Sequence, residues 1–417
     1  MQIFWQNESA NKSLFLPEAA MEFAQYQDRL SRSNSEKNCE FTSEGNLLHL
    51  INGGQLTPDL IDLLSETADK IRLLSREKQT ADALRTLLAH KRAMLYFTQP
   101  STRTFLSFMA ACQILGLTCN EVRDPKTSSE VKRESRMDAI RMFSSYFDVI
   151  IMRSPLSRFA ESCSYLMNDL RSQNRRWVPI INAGSGSDEH PTQALLDIYT
   201  LKRTFRFHDR EGSGRRFADL QTRHPNLTQG FDQKNYTFCG DIGRGRTVRS
   251  LATVLSQYQN ITMHFVSPTV APLRLDDKLR QALQQNNVTV FEHHTLDAVH
   301  EGQSLLSQTD CLYMTRIQRE HNSAEDENRL QEMDLSPFQL NPARASQLKE
   351  YTPILHPFPR DSQIGEIPEA IDVDPRAMYF RQARNGMWAR AALLAHLFGV
   401  EKELDRIEST ALRSNST

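Results

Sequence analysis

Short apolar runs separated by amphipathic helical stretches recur in two sets along the 417 residues, and that rhythm constrains the fold more than any single motif. The first set lies at 93–97, 149–152 and 178–181; the second, after residue 234, at 236–239, 262–266, 288–291, 311–314 and 353–355. Strands without polar alternation are buried on both faces, which requires parallel sheets covered by helices. The pattern predicts an α/β chain of two doubly wound parallel-sheet domains with a cleft between them. Helix signals agree. Thr57-Pro58 places a cap residue before a proline, followed by an apolar stripe through Leu60, Leu63, Leu64 and Ile71. A second helix runs from 101 to 115 on Phe105, Phe108, Met109, Cys112 and Leu115, with Gly116 as its stop.

Composition narrows the functional classes. Fifty basic residues against 51 acidic leave a net charge of −1, so no global field recruits nucleic acid or an anionic membrane. Any anion-binding power is local. The N-terminus lacks a basic segment followed by an apolar run, and stretches such as 149–152 are too short to span a bilayer. Six scattered cysteines form no C-x-x-C pair, which speaks against a zinc knot or disulfide scaffold and for reduced thiols in a cytoplasmic enzyme. Residues 1–45 read as an irregular extension, with 31–37 as solvated linker. Two surface insertions interrupt the rhythm: 203–233, with six arginines against four acids, and the acid-rich 320–334.

Anion chemistry gathers where strands end. Ser101-Thr102-Arg103-Thr104 opens a helix directly after a strand, so unpaired backbone N–H groups, hydroxyls and one guanidinium converge there. A Ser-capped helix explains the hydroxyl alone; the arginine inside the cap points to an anion cradle. Arg153 follows the strand 149–152, and His190-Pro191-Thr192-Gln193 follows 178–181 and the Gly-Ser loop 184–187. In the second set, 240–247 (Gly-Asp-Ile-Gly-Arg-Gly-Arg-Thr) opens a helix but lacks a clean G-x-G-x-x-G, which argues against a dinucleotide loop. Thr315-Arg316-Ile317-Gln318 and His356-Pro357-Phe358-Pro359-Arg360 end two further strands. Arginines from both domains are therefore expected to point into one gap, where they suit substrates carrying phosphate and carboxylates.

Taken together and in order, these motifs resemble the aspartate/ornithine carbamoyltransferase family, on its aspartate side. The matching stretches also include Ile151-Met152-Arg153, Ala194-Leu195-Leu196-Asp197 after the His-Pro-Thr-Gln turn, and Tyr379-Phe380-x-Gln382-Ala383-x-Asn385-Gly386. The resemblance implies transfer of the carbamoyl group of carbamoyl phosphate to L-aspartate, without metal or cofactor. It implies a carbamoyl-phosphate-binding domain over 46–190, completed by a C-terminal helix 381–405 that returns to it, and an aspartate-binding domain over 191–380. Ser101, Thr102, Arg103 and Thr104 would hold the phosphate; Arg153, His190 and Thr104 would surround the carbonyl oxygen; Gln193 would hold the carbamoyl amide. Arg246, Arg316 and Gln318 would grip aspartate, with Pro357 and Phe358 shaping the site in a cis-proline loop. The family is a homotrimer whose sites are completed by a neighbouring subunit, which places Ser128 and Lys132 (or Lys126) on the shared loop. A regulatory chain or another pathway enzyme would be a further partner. Phe105 and Met109 depart from the family's usual Arg and Glu, and Phe105 is expected to pack inward.

Two other readings compete. A relative acting on another amine would usually carry a His-Cys-Leu-Pro turn and a Ser-Met-Gly segment, where this chain has His356-Pro357-Phe358-Pro359 and Arg316. A non-catalytic paralogue would usually have lost phosphate- or carbonyl-site residues that are all kept here.

Overall fold

The apolar run ending at Phe97 forms β1 (Arg92–Phe97), joined by β2 (Thr118–Val122), β3 (Val149–Arg153) and β4 (Ile180–Asn182) in a parallel sheet of order β2-β1-β3-β4. A second parallel sheet has the order β9-β8-β5-β6-β7, from β5 (Asn235–Cys239), β6 (Thr262–Val266), β7 (Thr289–His293), β8 (Cys311–Met314) and β9 (Ile354–Leu355). This computed structural model describes residues 23–43, 45–124, 134–186, 188–205, 214–225, 227–317, 333–361 and 365–414. Side chains 93–97 and 149–152 are all buried, as strands covered on both faces require. Of the nine strands in these two sheets, only β2 has no counterpart in the sequence reading. It is an edge strand whose side chains are exposed or half-buried, so it leaves no apolar run.

Each sheet reverses its winding once. The chain steps from β1 outward to β2 and returns on the other side of β1 as β3; it steps from β5 through β6 to β7 and returns beside β5 as β8. Such reversals leave a crevice at the carboxyl ends of the strands, between β1 and β3 and between β5 and β8.

The helices that flank these crevices follow their caps. Thr57 Oγ1 accepts from the Leu60 N–H at 3.4 Å to start α1 (Pro58–Leu74). Helix α2 (Thr102–Leu115) stops at Gly116, whose φ is +88°. Beyond α3 (Phe159–Ser172), α4 (Pro191–Thr204) and α5 (Arg246–Leu255), the chain returns as α6 (Tyr379–Leu397), which packs on α2, α1 and α4. The expected single C-terminal helix is two: Gly399, at φ +64°, separates α6 from α7 (Glu401–Ser414). One hydrophobic cluster joins the facing sides of the two sheets, from Leu95 and Ile151 to Phe238 and Phe265, and each outer face has a cluster of its own.

Two expectations are corrected. Residues 23–43 are not irregular: helices Gln27–Ser31 and Asn34–Glu40, the latter opened by a Ser33–Glu36 capping box, dock on α3. Phe23, Tyr26, Leu30 and Phe41 are buried there, Lys37 pairs with Glu161 at 2.8 Å, and Arg29 pairs with Asp169. The wide spacing of those four apolar residues among polar ones hid the docking. The 203–233 segment is not only solvated loop either. It contains the helix Gly214–Arg223, and Leu220, Leu227 and Phe231 enter the shared core. Residues 318–332, which hold most of the acid-rich insertion, lie outside the described residues.

Candidate active site

The strand-end motifs open onto one cleft of about 930 Å³ between the two sheets. Among the described residues lining it, six are arginines (Arg103, Arg153, Arg246, Arg316, Arg384 and Arg390) and none is Asp or Glu. Both sheets contribute at their reversal points, so the expected convergence of guanidinium groups is what the fold builds.

On the first sheet, Ser101 occupies the N-cap of α2 but its side chain makes no capping bond, and Ser101 to Thr104 line the cleft. A simple Ser-capped helix is thereby replaced by an open N-terminus with donors to offer. Arg153 ends β3 beside Phe97; its Nη1 donates to the Ala183 carbonyl at 3.2 Å and its buried Nε has no partner. His190 caps α4 through its ring: Nδ1 accepts the Gln193 backbone N–H at 3.2 Å, with Pro191 at the first helical position. Burial first, then the charges of Arg153, Arg246 and Arg390, push His190 well below the usual imidazole range. A neutral ring whose Nδ1 accepts carries its proton on Nε2, so His190 presents a donor to the cleft. Gly184 makes room for the pair. At its φ of +95° a Cβ would lie 2.6 Å from His190 Cδ2 and 2.9 Å from Arg153 Nη1.

On the second sheet, Gly240 lets the β5 and β8 loops touch, since a Cβ there would lie 2.1 Å from the Thr315 carbonyl oxygen. Arg244 turns back to Asp241 at 2.8 Å. Arg246 crosses instead, donating from Nη1 to the carbonyls of Gly184 at 2.7 Å and Gly186 at 2.6 Å. The His190 backbone N–H donates to Ser250 Oγ of α5 at 2.9 Å, a second tie between the halves. Arg316 lines the cleft with Arg103, whose charge is disfavoured by burial and by Arg316. Phe358 has φ +56° and a cis bond to Pro359, and its ring centre is 5.5 Å from the Arg103 guanidinium carbon.

Arg360 departs from expectation. It pairs with Asp372 at 2.7 and 3.1 Å and lies over the rings of Phe358, Tyr379 and Phe380, outside the cleft lining. Its role is to hold the loop. Gln318, Ser128, Lys132 and Lys126 lie outside the described residues. Phe105 packs inward as expected, edge-on to Phe97 at 5.4 Å.

The sequence reading missed the residues that orient the others. Buried Asp197 accepts from Gln193 Nε2 at 2.8 Å, Gln382 Nε2 at 2.6 Å and the Tyr313 hydroxyl at 2.8 Å. Burial raises its carboxyl to about 7, outweighing these three hydrogen bonds and the charge of Arg390, which act the other way. Its i, i+4 spacing from Gln193 on α4 was the available signal. Arg390 is fully buried on α6, donating to Ser107 Oγ with Nε unpartnered, and burial depresses it to about 9. Arg153 falls to about 9 through burial and through Arg246, Arg390 and Arg103. Arg153 and Arg103 are pushed down by neighbouring arginines, and with no Asp or Glu among the described lining residues the cleft suits an anion carrying more than one charge.

Two family matches cover most of the chain. The "aspartate/ornithine carbamoyltransferase, carbamoyl-P binding domain" matches residues 48–203, and the corresponding "Asp/Orn binding domain" matches residues 232–397. The chain belongs to the aspartate/ornithine carbamoyltransferase family. The catalytic subunit of aspartate carbamoyltransferase from Vibrio campbellii is 33% identical over 348 residues, 83% of this chain and 95% of that protein. The Thermoplasma volcanium counterpart is 36% identical over 75% of this chain and 87% of its own length. Among solved carbamoyltransferases, the M. jannaschii aspartate transcarbamoylase catalytic subunit superposes with a TM-score of 0.65 at 31% identity, covering 85% of this chain and 99% of that one. The Trypanosoma cruzi aspartate transcarbamoylase in complex with carbamoyl phosphate and aspartate gives 0.67 at 29% identity, covering 83% and 95%. Residues 204–231 fall between the two family matches.

Proposed function

We propose that this protein is an aspartate carbamoyltransferase, forming N-carbamoyl-L-aspartate and phosphate in de novo pyrimidine biosynthesis. The observation that carries the reading is the cleft lined by six arginines and no carboxylate among the described residues, set between an uncapped helix N-terminus and the second sheet. Ser101 to Thr104 take the phosphate of carbamoyl phosphate, in the domain we assign to 46–190. Thr104, Arg153 and the His190 Nε2–H surround the carbonyl oxygen, and Gln193, held by Asp197, takes the amide. Arg246, Arg316 and Gln318 take the two carboxylates of aspartate from the domain over 191–380, with Pro357 and Phe358 at the wall. The amine attacks the carbonyl carbon and negative charge grows on its oxygen. The C–O bond to phosphate then breaks, and the departing phosphate takes the amine proton. Fixed donors act where that charge appears, and one such donor is typically worth ~3 kcal/mol of barrier. Closing two lobes on two small anions also supplies orientation.

The assembly belongs to the same proposal: a homotrimer, with Ser128 and Lys132 (Lys126 as the substitute) reaching the neighbouring site. Cytoplasmic placement is supported by the free cysteines, and no helix among the described residues is long and apolar enough to cross a membrane. A colorimetric ureido assay on purified protein, with aspartate and ornithine in parallel, tests the activity. Carbamoyl aspartate without citrulline is expected; citrulline alone, or neither product, overturns the reading. Mixing inactive Lys132→Ala with inactive Arg103→Ala subunits tests the shared site. Hybrid trimers should recover activity, and verified exchange without recovery would refute it.

A further inference from the structure

Three histidines meet on the outer face of the second sheet, the face turned away from the shared core. His264 stands on β6 and is buried; His293 ends β7 and is half-buried; His300 belongs to the short hairpin 299–304 and is also half-buried. His264 pairs in register with Phe291, and the two rings stack with centres 5.3 Å apart and planes 16° apart. Phe291 also lies 4.2 Å from the His300 ring, so one phenyl fixes two of the three imidazoles.

The nitrogens converge. His264 Nδ1 and His293 Nε2 are 3.1 Å apart, and a nitrogen of each of the three rings lies within 4.8 Å of the others. A single N–H···N hydrogen bond accounts for the first pair, and Phe291 holds the third ring beside it. An ion about 2 Å from each of three imidazole nitrogens in a tetrahedral arrangement needs them roughly 3.4 Å apart. The first pair is already close to that spacing, and the third nitrogen, within 4.8 Å of both, has at most about 1.4 Å to close.

We propose that His264, His293 and His300 form a divalent transition-metal site with an open fourth position toward solvent. Three neutral nitrogens and no carboxylate suit zinc, cobalt, nickel or copper and not magnesium or calcium. The ion would pin the 299–304 hairpin to β6 and β7. The site is separate from the arginine cleft, none of its ligands lining that cavity, so it is structural in effect and independent of the reading given above.

Full-length protein stripped with a chelator is titrated with cobalt(II), then zinc. The expected result is one equivalent of cobalt with the intense visible absorption of a tetrahedral site, displaced by zinc, and a higher melting temperature with zinc bound. His293→Ala and His300→Ala, both at half-buried positions, should each weaken zinc binding at least roughly tenfold and abolish the thermal shift. His294→Ala, whose ring faces the Ser267 carbonyl instead, should leave both unchanged. Circular dichroism melts of the metal-free variants separate lost binding from lost folding. Weak octahedral cobalt absorption, or wild-type zinc affinity in folded His293→Ala and His300→Ala, would overturn the site.

Discussion

Two His-Pro turns, one at the end of each sheet, line the same cleft and use their rings differently. His190 and His356 are both buried, and each accepts a backbone N–H on Nδ1, from Gln193 at 3.2 Å and from Phe358 at 2.8 Å. Each neutral ring therefore carries its proton on Nε2. His356 donates that proton to Glu366 Oε1 at 2.9 Å, and Glu366 also accepts from the Asp361 N–H. No described residue accepts from His190 Nε2; what surrounds that ring is Arg153, Arg246 and Arg390. The ring lines the open cleft, so its donor is available to whatever binds there. The same dipeptide thus marks a turn whose ring donor is taken at 356 and one whose ring donor stays open to the cleft at 190; in the proposed function its acceptor is the carbonyl oxygen of the substrate.

The largest effect should come from removing that donor. His190→Asn keeps a side-chain oxygen able to cap α4 but has nothing at the Nε2 position. Steady-state assays should show kcat lowered about 10²–10³-fold with melting temperature nearly unchanged. A loss under fivefold would put His190 on the same footing as His356. Next is His356→Ala, which leaves Glu366 buried without its ring partner. Denaturant unfolding should show a loss of about 3 kcal/mol. The aspartate KM should rise more than kcat falls, because the loop carrying Phe358 loses its anchor. An equal fall in kcat for both histidine variants would erase the contrast.

How well the sequence could be read follows the same division. Elements and residues that act through local chain geometry were legible: unbroken apolar runs gave the inner strands, Thr57-Pro58 and Gly116 gave helix ends, and the strand-end motifs gave the arginine cleft. Residues that act by orienting others were not, because their partners are remote. Asp197 meets Tyr313 across 116 positions and Gln382 across 185. Arg390 meets Ser107 across 283. Arg360 failed the other way. A cation at a strand end reads as ligand-binding until Asp372, twelve residues on, is seen to hold it. The N-terminal helices left one overlooked signal, the Ser33-x-x-Glu36 capping box.

Asp197 sharpens the comparison through pH, since it is the buried acid behind the His190 side as Glu366 is behind His356. Its carboxyl sits at about 7 in the folded protein because of burial, against about 4 in an unfolded chain. The folded state binds that proton more tightly, so the contribution is complete below pH 4 and is lost as pH rises through 7. Asp197→Asn, neutral throughout, should therefore gain on the wild type by ~2 kcal/mol between pH 5 and pH 8. Parallel melts at the two pH values check this; a constant difference would mean that Asp197 is ionised in the fold at both.

The smallest effect expected is at Arg360, and it tests whether the two ends of the cleft wall have been told apart correctly. The Arg360–Asp372 pair is two-pronged and partly shielded, with side-chain exposures of 19% and 27%, so Arg360→Ala should cost about 1 kcal/mol of stability. Some of that loss would be packing, because the guanidinium covers Phe358, Tyr379 and Phe380. Arg316 lines the cleft, and if it grips a substrate carboxylate, Arg316→Ala should raise the aspartate KM at least tenfold. Arg360→Ala should leave that KM within about threefold, and adding salt should reduce its stability loss further. A tenfold rise in aspartate KM for Arg360→Ala would return that residue to the substrate, beside Pro357 and Phe358 at the wall.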